Sequence, residues 1–278
     1  MRIGVRGHDL GSYSSDDLGK VINEKGVSSI QLVLKKAITE FNVQKGSLNP
    51  GMAKHIRETL DRNNVDISIL GSYINMAHPD ERELNELLES FKEHIRFAKY
   101  LNCNIVGTET GAPNKEYVYT PENNTEESFQ TFIKSLRVVV EEAEKFGIIV
   151  GIEGVTNHII NTPKKMRRVL DTVKSDNLQV IFDPVNFIDE SNYKKQDEII
   201  SESFELFGDR IVLIHAKDFV YKDGKVVRVP IGTGDFNYPL LLSLIKERKP
   251  YIDIIIEGST LDTIENSREY LDTLYSNI

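Results

Sequence analysis

Short apolar runs alternate with longer amphipathic stretches along the whole chain. The runs are "IGVR" (3–6), "SIQLVL" (29–34), "DISILGS" (66–72), "NIVGTE" (104–109), "IIVGIE" (148–153), "LQVIFD" (178–183), "RIVLIH" (210–215) and "DIIIE" (253–257). Most are rich in Ile and Val and too short for helices. Near-continuous apolarity is what a strand covered on both faces needs. The stretches between them carry helical spacing. In "PDERELNELLESFKEHIRFAKYL", Leu84, Leu87, Leu88, Phe91, Ile95, Phe97 and Ala98 fall on one stripe, with charges opposite. Thr125 opens another such stretch and Gly147 closes it, and Thr162 followed by Pro163 opens a third. Residues 16–25, 50–63 and 195–207, "YPLLLSLIKER" and "TIENSREYLDTLY" complete the set. Eight strand–helix units at this length predict an α/β chain folded as a single (β/α)8 TIM barrel over residues 1–278, with its active site at the C-terminal ends of the strands. The competing fold is an open doubly wound sheet, but "GVRGHDLG" after the first run lacks the Gly-x-Gly-x-x-Gly spacing that would favour it.

Charge narrows the partners. The 278 residues carry a formal net charge of −9, so attraction to nucleic acid or to an anionic membrane is not expected. No apolar run reaches membrane-spanning length, and "MRIGVRGHDL" has no signal-peptide core. The single cysteine, Cys103, excludes an internal disulfide framework and fits a reducing compartment. The expectation is a soluble cytoplasmic protein, with homo-oligomerisation left open. Cys103 approaches a strand without a basic neighbour and reads as a buried structural thiol. His55 and His94 fall on helical patterns and read as ordinary helix residues.

The candidate chemistry lies at the strand ends. The fifth run ends in Glu153, the sixth in Asp183, the seventh in His215 and the eighth in Glu257. A carboxylate at one strand end is usually a helix cap or a solvated loop residue. Four consecutive strands ending this way are different, because carboxylates buried together repel unless a cation or protons neutralise them. Three carboxylates and one imidazole suit one divalent ion, with Mn²⁺, Mg²⁺ or Co²⁺ favoured over Zn²⁺. Lys217, two residues past His215, points the same way if the strand continues, toward a substrate carboxylate, hydroxyl or phosphate or into a structural ion pair. Glu109 ends the fourth run, His158 lies in the loop after the fifth, and Arg6 and His8 close the first. Arg228 stands before "PIGTGDF", whose glycines suggest a tight loop near the mouth. His8, Glu109, His158, Lys217 and Arg228 are therefore expected at the substrate, with His78 and Lys35 weaker candidates.

"GTETG", "GIEGV", "VIFDPVNF", "LIHAKD", "PIGTGDFNY" and "IIIEGST", in that order, resemble the xylose isomerase-like TIM-barrel superfamily, in its sugar (phosphate) isomerase/epimerase branch. The resemblance covers essentially the whole chain. It implies that Glu153, Asp183, His215 and Glu257 bind one divalent metal and that the two glutamates form the acid/base pair. It also implies a small sugar or sugar phosphate as substrate, with a cis-enediolate formed beside the metal. One departure is that the ketose 3-epimerases of this branch commonly carry His three residues after the metal-binding Asp, where this chain has Asn186. Asn186 is expected to hydrogen-bond a substrate hydroxyl instead. The same substitution, and the lack of further His after His215, argue against the trinuclear zinc centre of the apurinic endonuclease relatives. Two other readings are a metal-dependent lyase of the inosose dehydratase type and a non-catalytic sugar-binding barrel.

Overall fold

A computed structural model describes residues 1–278. Eight parallel strands close into a barrel: β1 (Arg2–Arg6), β2 (Ser29–Leu32), β3 (Asp66–Gly71), β4 (Ile105–Glu109), β5 (Ile149–Glu153), β6 (Leu178–Phe182), β7 (Ile211–Ala216) and β10 (Asp253–Ile256). Strand β10 pairs with both β7 and β1, which completes the ring. All eight apolar runs become barrel strands, as their two-sided burial demands. The second is shorter than expected, because Leu34 begins a four-residue helix, α2 (Leu34–Ala37).

The outer helices are α1 (Ser15–Glu24), α3 (Pro50–Arg62), α4 (Glu81–Leu101), α5 (Glu126–Phe146), α6 (Pro163–Val173), α7 (Gln196–Phe207), α8 (Tyr238–Arg248) and α9 (Ile264–Asn277). Their boundaries follow side-chain chemistry. Thr125 Oγ1 accepts the Ser128 N–H to start α5, and Gly147 ends it at φ +65°, a conformation costly to a side chain. Thr162 caps α6 with Pro163 in the first turn. None of these helices is long and apolar enough to cross a membrane.

Two apolar layers result from the period of two along each strand. Outward residues such as Val150, Ile152, Val180, Phe182, Ile254 and Ile256 join the helices' apolar stripes in one large core. Inward residues Ile69, Ile181, Leu213 and Ile255 form a separate plug inside the barrel, with Ile105 against it. Glycines on the facing strands leave room for this plug. A Cβ on Gly107 would stand 2.4 Å from Ile69 Cδ1, and one on Gly151 2.9 Å from Ile181 Cδ1.

One feature of the fold falls outside the eight units. Between β7 and α8 the chain makes an antiparallel hairpin, β8 (Asp218–Lys222) and β9 (Lys225–Val229), whose strands pair only with each other. Asp223 and Gly224 turn it with φ of 51° and 80°, the left-handed pair that a two-residue hairpin turn requires. Asp218 anchors its root. Its carboxylate accepts the N–H groups of Phe219 and Phe236 on Oδ1 and of Gly232 and Gly234 on Oδ2.

Candidate active site

On five of the strands an inward position at the level of the plug is followed two residues later by a polar group on the same face. Gly107 leads to Glu109, Gly151 to Glu153, Ile181 to Asp183, Leu213 to His215 and Ile255 to Glu257. The apolar plug is thus the floor of a polar cup at the C-terminal ends of β4, β5, β6, β7 and β10. Glu153, Asp183, His215 and Glu257 are all buried.

Asp183 caps the short turn Pro184–Phe187. Its Oδ1 accepts the N–H groups of Val185 and Asn186 at 2.9 and 3.1 Å. This holds the side chain upright and leaves Oδ2 facing the cup. The same turn brings Asn186 over β5, where its Nδ2 donates to Glu153 Oε1 at 2.6 Å. His215 Nδ1 lies 3.1 Å from Glu153 Oε2 and 3.1 Å from Glu257 Oε1.

Glu153, Asp183 and His215 offer ligand atoms that all lie within 4.8 Å of one another. The group fits a divalent cation by its donor chemistry and by a second observation. His215 Nε2 is a buried polar atom without a hydrogen-bond partner, and Asp183 Oδ2 meets only the Lys217 ammonium. Glu257 stands just outside the triad, joined to it through His215 and held on its other oxygen by Arg6 Nη1 at 2.9 Å and Lys217 Nζ at 2.8 Å. Lys217 enters the cup more deeply than a rim residue would. Its ammonium also lies 2.7 Å from Asp183 Oδ2 and donates to Asn186 Oδ1 at 3.2 Å.

Charge is distributed accordingly. Burial pushes the Asp183 carboxyl up, Lys217 opposes the shift, and Glu153 and Glu257 reinforce it. Burial alone would raise Glu257 too, but Lys217, His215 and Arg6 together hold it well below the usual carboxylate range. The imidazole of His215 loses hydration on burial, yet Glu153 and Glu257 raise its pKa overall.

Beside the cup opens a cleft of about 350 Å³ lined by Arg6, His8, Lys36, Tyr73, Ile74, Asn75, Glu109, Tyr117, Glu153 and Glu257. That volume suits a small polar molecule. His8 and Glu109 both line this cleft. His158 is buried behind the cleft wall, 3.8 Å from Glu109 Oε2 and edge-on to the Tyr117 ring. Burial lowers its pKa to about 4, so it stands neutral. Arg228, on β9, reaches the cup's edge through Asn186 Oδ1 at 3.3 Å.

Other candidates lie elsewhere. His78 pairs with Glu83 near the start of α4, and Lys35 is exposed on α2. His55 contacts Glu40, and His94 bonds to the Ser90 carbonyl within α4. Cys103 is buried, its thiol pushed up to about 12 by burial.

Five cleft residues, Lys36, Tyr73, Ile74, Asn75 and Tyr117, escaped the sequence reading. Tyr73 lies two positions beyond the end of β3, a spacing that would have found it. Tyr117 sits in the loop after β4 with φ +59°, a strained value for a bulky residue, and donates its hydroxyl to Glu109 Oε2 at 3.2 Å. No local sequence pattern announces it.

The model of the xylose isomerase-like TIM barrel family matches residues 20–274. The chain belongs to that family. Among curated proteins, an uncharacterized protein of Methanocaldococcus jannaschii is 27% identical over 232 residues, covering 81% of this chain and 75% of that one. A probable L-ribulose-5-phosphate 3-epimerase of Mycoplasma pneumoniae is 26% identical over 140 residues, 50% of this chain and 43% of that protein. Among solved members of the fold, a D-tagatose 3-epimerase-like protein superposes with a TM-score of 0.78 at 23% identity, covering 100% of this chain and 98% of that one. A xylose isomerase-like TIM barrel protein from Mycobacterium smegmatis, solved in complex with magnesium, gives a TM-score of 0.73 at 18% identity over 99% and 96% of the two chains.

Proposed function

We propose that the protein is a divalent-metal-dependent isomerase or epimerase of a small ketose, free or phosphorylated, working by proton transfer through a cis-enediolate. The observation that carries this reading is the buried Glu153–Asp183–His215 triad with Glu257 beside it, opening onto a cleft of sugar size. Glu153, Asp183, His215 and Glu257 would hold the ion, with Mn²⁺, Mg²⁺ or Co²⁺ preferred by three carboxylates and one imidazole. The ion supplies a Lewis acid for a carbonyl and its neighbouring hydroxyl.

The chain's own groups do the remaining work. Glu153 and Glu257 come from strands separated by β6 and β7 and both border the cleft. A planar enediolate between them has one carboxylate at each face, so one glutamate removes a proton and the other returns one. Glu257 is held ionised by Arg6 and Lys217, the form of a carboxylate that can accept a proton. Asn186 fixes Glu153 through its amide and takes the role of orienting substrate rather than ion. His8 and Glu109 face the cleft and supply hydrogen bonds to sugar hydroxyls. The reading is supported further by the epimerase named among the curated relatives.

The test is a panel of ketoses, ketose phosphates and inososes, assayed after chelator treatment with and without added Mn²⁺. Metal-restored interconversion of isomers at constant mass supports the proposal. Metal-restored loss of water would make the protein a lyase, and binding without turnover would make it a sugar-binding barrel.

A further inference from the structure

The main cleft is rich in groups that accept hydrogen bonds and poor in groups free to donate one. Glu109, Glu153 and Glu257 are acceptors. Among the donors on its wall, Arg6 is engaged by Asp9 and Glu257. Asn75 donates its amide to the Asn114 carbonyl and accepts the Ala77 and Ala112 N–H groups on its oxygen. Tyr117 donates its hydroxyl to Glu109. Besides His8 and the exposed Lys36, Tyr73 alone keeps a side-chain hydrogen to donate. Gln31 on β2, fully buried, donates Nε2 to the Tyr73 hydroxyl oxygen at 2.5 Å. That bond occupies a lone pair of the phenol, and no group of the protein accepts the phenol's own hydrogen. Gly71 makes the pose possible: a Cβ there would stand 2.9 Å from Tyr73 Cε2 and 2.7 Å from Val33 Cγ2. Burial, and then the charges of Glu153, Glu257 and Glu109, push the phenol well above its ordinary pKa, so the hydrogen stays on the oxygen.

We propose that Tyr73 is a substrate-binding residue whose hydroxyl, held by Gln31, donates a hydrogen bond to a sugar hydroxyl oxygen outside the carbonyl and hydroxyl pair that the ion would hold. The proposal rests on the ketose reading of the cleft and adds a specificity contact to it. Carboxylates take the hydrogens of sugar hydroxyls but offer nothing to the oxygen lone pairs. A polyol bound by carboxylates alone would leave those oxygens unsatisfied when water is displaced. A neutral donor meets the need without adding charge. A phenol already held by a buried amide also has little freedom left to lose on binding. The contact reads configuration, because a sugar whose hydroxyl points away from Tyr73 keeps its reaction centre but lacks the bond.

Two measurements on the metal-loaded full chain test this together: turnover of ketoses, and calorimetric binding of the unreactive polyols ribitol, xylitol and galactitol. Tyr73→Phe removes one oxygen atom and should lower kcat/KM about tenfold, chiefly through KM, as for a lost hydrogen bond. The polyol that wild type binds should weaken by about the same factor. Metal content, read by elemental analysis, should not change. With monodeoxy forms of the ketose that wild type turns over, the Tyr73→Phe penalty should vanish at one position, which marks the oxygen contacted. Gln31→Met, which frees the phenol to rotate, should lose part of the same contact. Tyr100→Phe, at an exposed tyrosine on α4, should lose nothing. Polyol binding that depends on Tyr73, with no ketose turned over, would uphold the contact and sink the isomerase reading. Turnover and polyol binding unchanged in Tyr73→Phe, or a penalty equal across all the deoxy forms, would overturn the contact and leave the isomerase reading standing. Gln31→Met indistinguishable from wild type would overturn the amide's part. Neither binding nor turnover in wild type would overturn both readings.

Discussion

Glu257 divides its two oxygens between different nitrogen bases: Oε1 lies 3.1 Å from His215 Nδ1, and Oε2 lies 2.8 Å from Lys217 Nζ. Glu153 has a neutral partner in the corresponding place, the Asn186 amide at 2.6 Å. The two carboxylates of the cleft thus share His215 Nδ1 but differ at their other oxygen, where Glu257 meets Lys217 and Arg6 and Glu153 meets the Asn186 amide. An acid/base pair benefits from that asymmetry.

Replacing either glutamate by glutamine keeps an oxygen in place but removes the proton carrier. With excess Mn²⁺ supplied, Glu153→Gln and Glu257→Gln are each expected to lose on the order of 100- to 10,000-fold in rate. In deuterated solvent one variant should still exchange a substrate proton from a single face while failing to turn over. Near-wild-type turnover in both variants would leave them as ligands only.

Metal content separates the triad from its neighbours. One divalent ion per chain is expected, with Asp183→Ala or His215→Ala losing most of it and Asn186→Ala keeping it near normal. Elemental analysis of the purified variants decides. Full occupancy in the Asp183/His215 double variant would refute the site.

Lys217 ties together carboxylates from three strands, with contacts of 2.7 Å to Asp183, 2.8 Å to Glu257 and 4.0 Å to Glu153. Removing one partner of a buried ionic group leaves the others uncompensated. Lys217→Met should destabilise the chelator-treated protein by roughly 3 to 5 kcal/mol. Denaturant unfolding measures this, and an unchanged midpoint would show that the contacts contribute nothing.

Stability should also fall in mild acid through His158. Burial holds its pKa at about 4, below the ordinary 6.5, so folding favours the neutral ring. The associated stability is complete above about pH 6.5 and is lost as pH falls toward 4, amounting to on the order of 3 kcal/mol. His158→Asn should flatten that part of the stability profile. The same slope in the variant would assign the acid sensitivity to other groups.

The barrel was readable because two-sided burial writes itself as Ile- and Val-rich runs, and the outward helices as stripes. The cup was readable for a related reason: inward positions recur every second residue, so Glu153, Asp183, His215 and Glu257 declared themselves at run ends. The hairpin was not found, although Asp223-Gly224 between Val220–Tyr221 and Val226–Val227 is a strong turn signal. Its strands are largely exposed and lie inside a strand-to-helix connection, where the repeating pattern leads one to expect only loop. Tyr117 was illegible because a long loop, not a period, carries it to Glu109. Lys217 was placed on the right side of the strand, but its depth depends on Asp183 and Glu257 converging from other strands.

The Arg6–Glu257 contact joins residues 251 apart in the chain, and it sits on the β1–β10 seam that closes the ring. A chain emerging from the ribosome can thus form Glu153, Asp183 and His215 into neighbours long before β10 exists to complete the cup. Until then β1 and β7 each present an unpaired parallel edge, a surface prone to wrong partners. Activity should therefore appear only once β10 has been made and has closed the seam, lagging behind the helical signal during synthesis, and a segment carrying residues 250–278 supplied in trans would be the natural piece for a split-protein reporter.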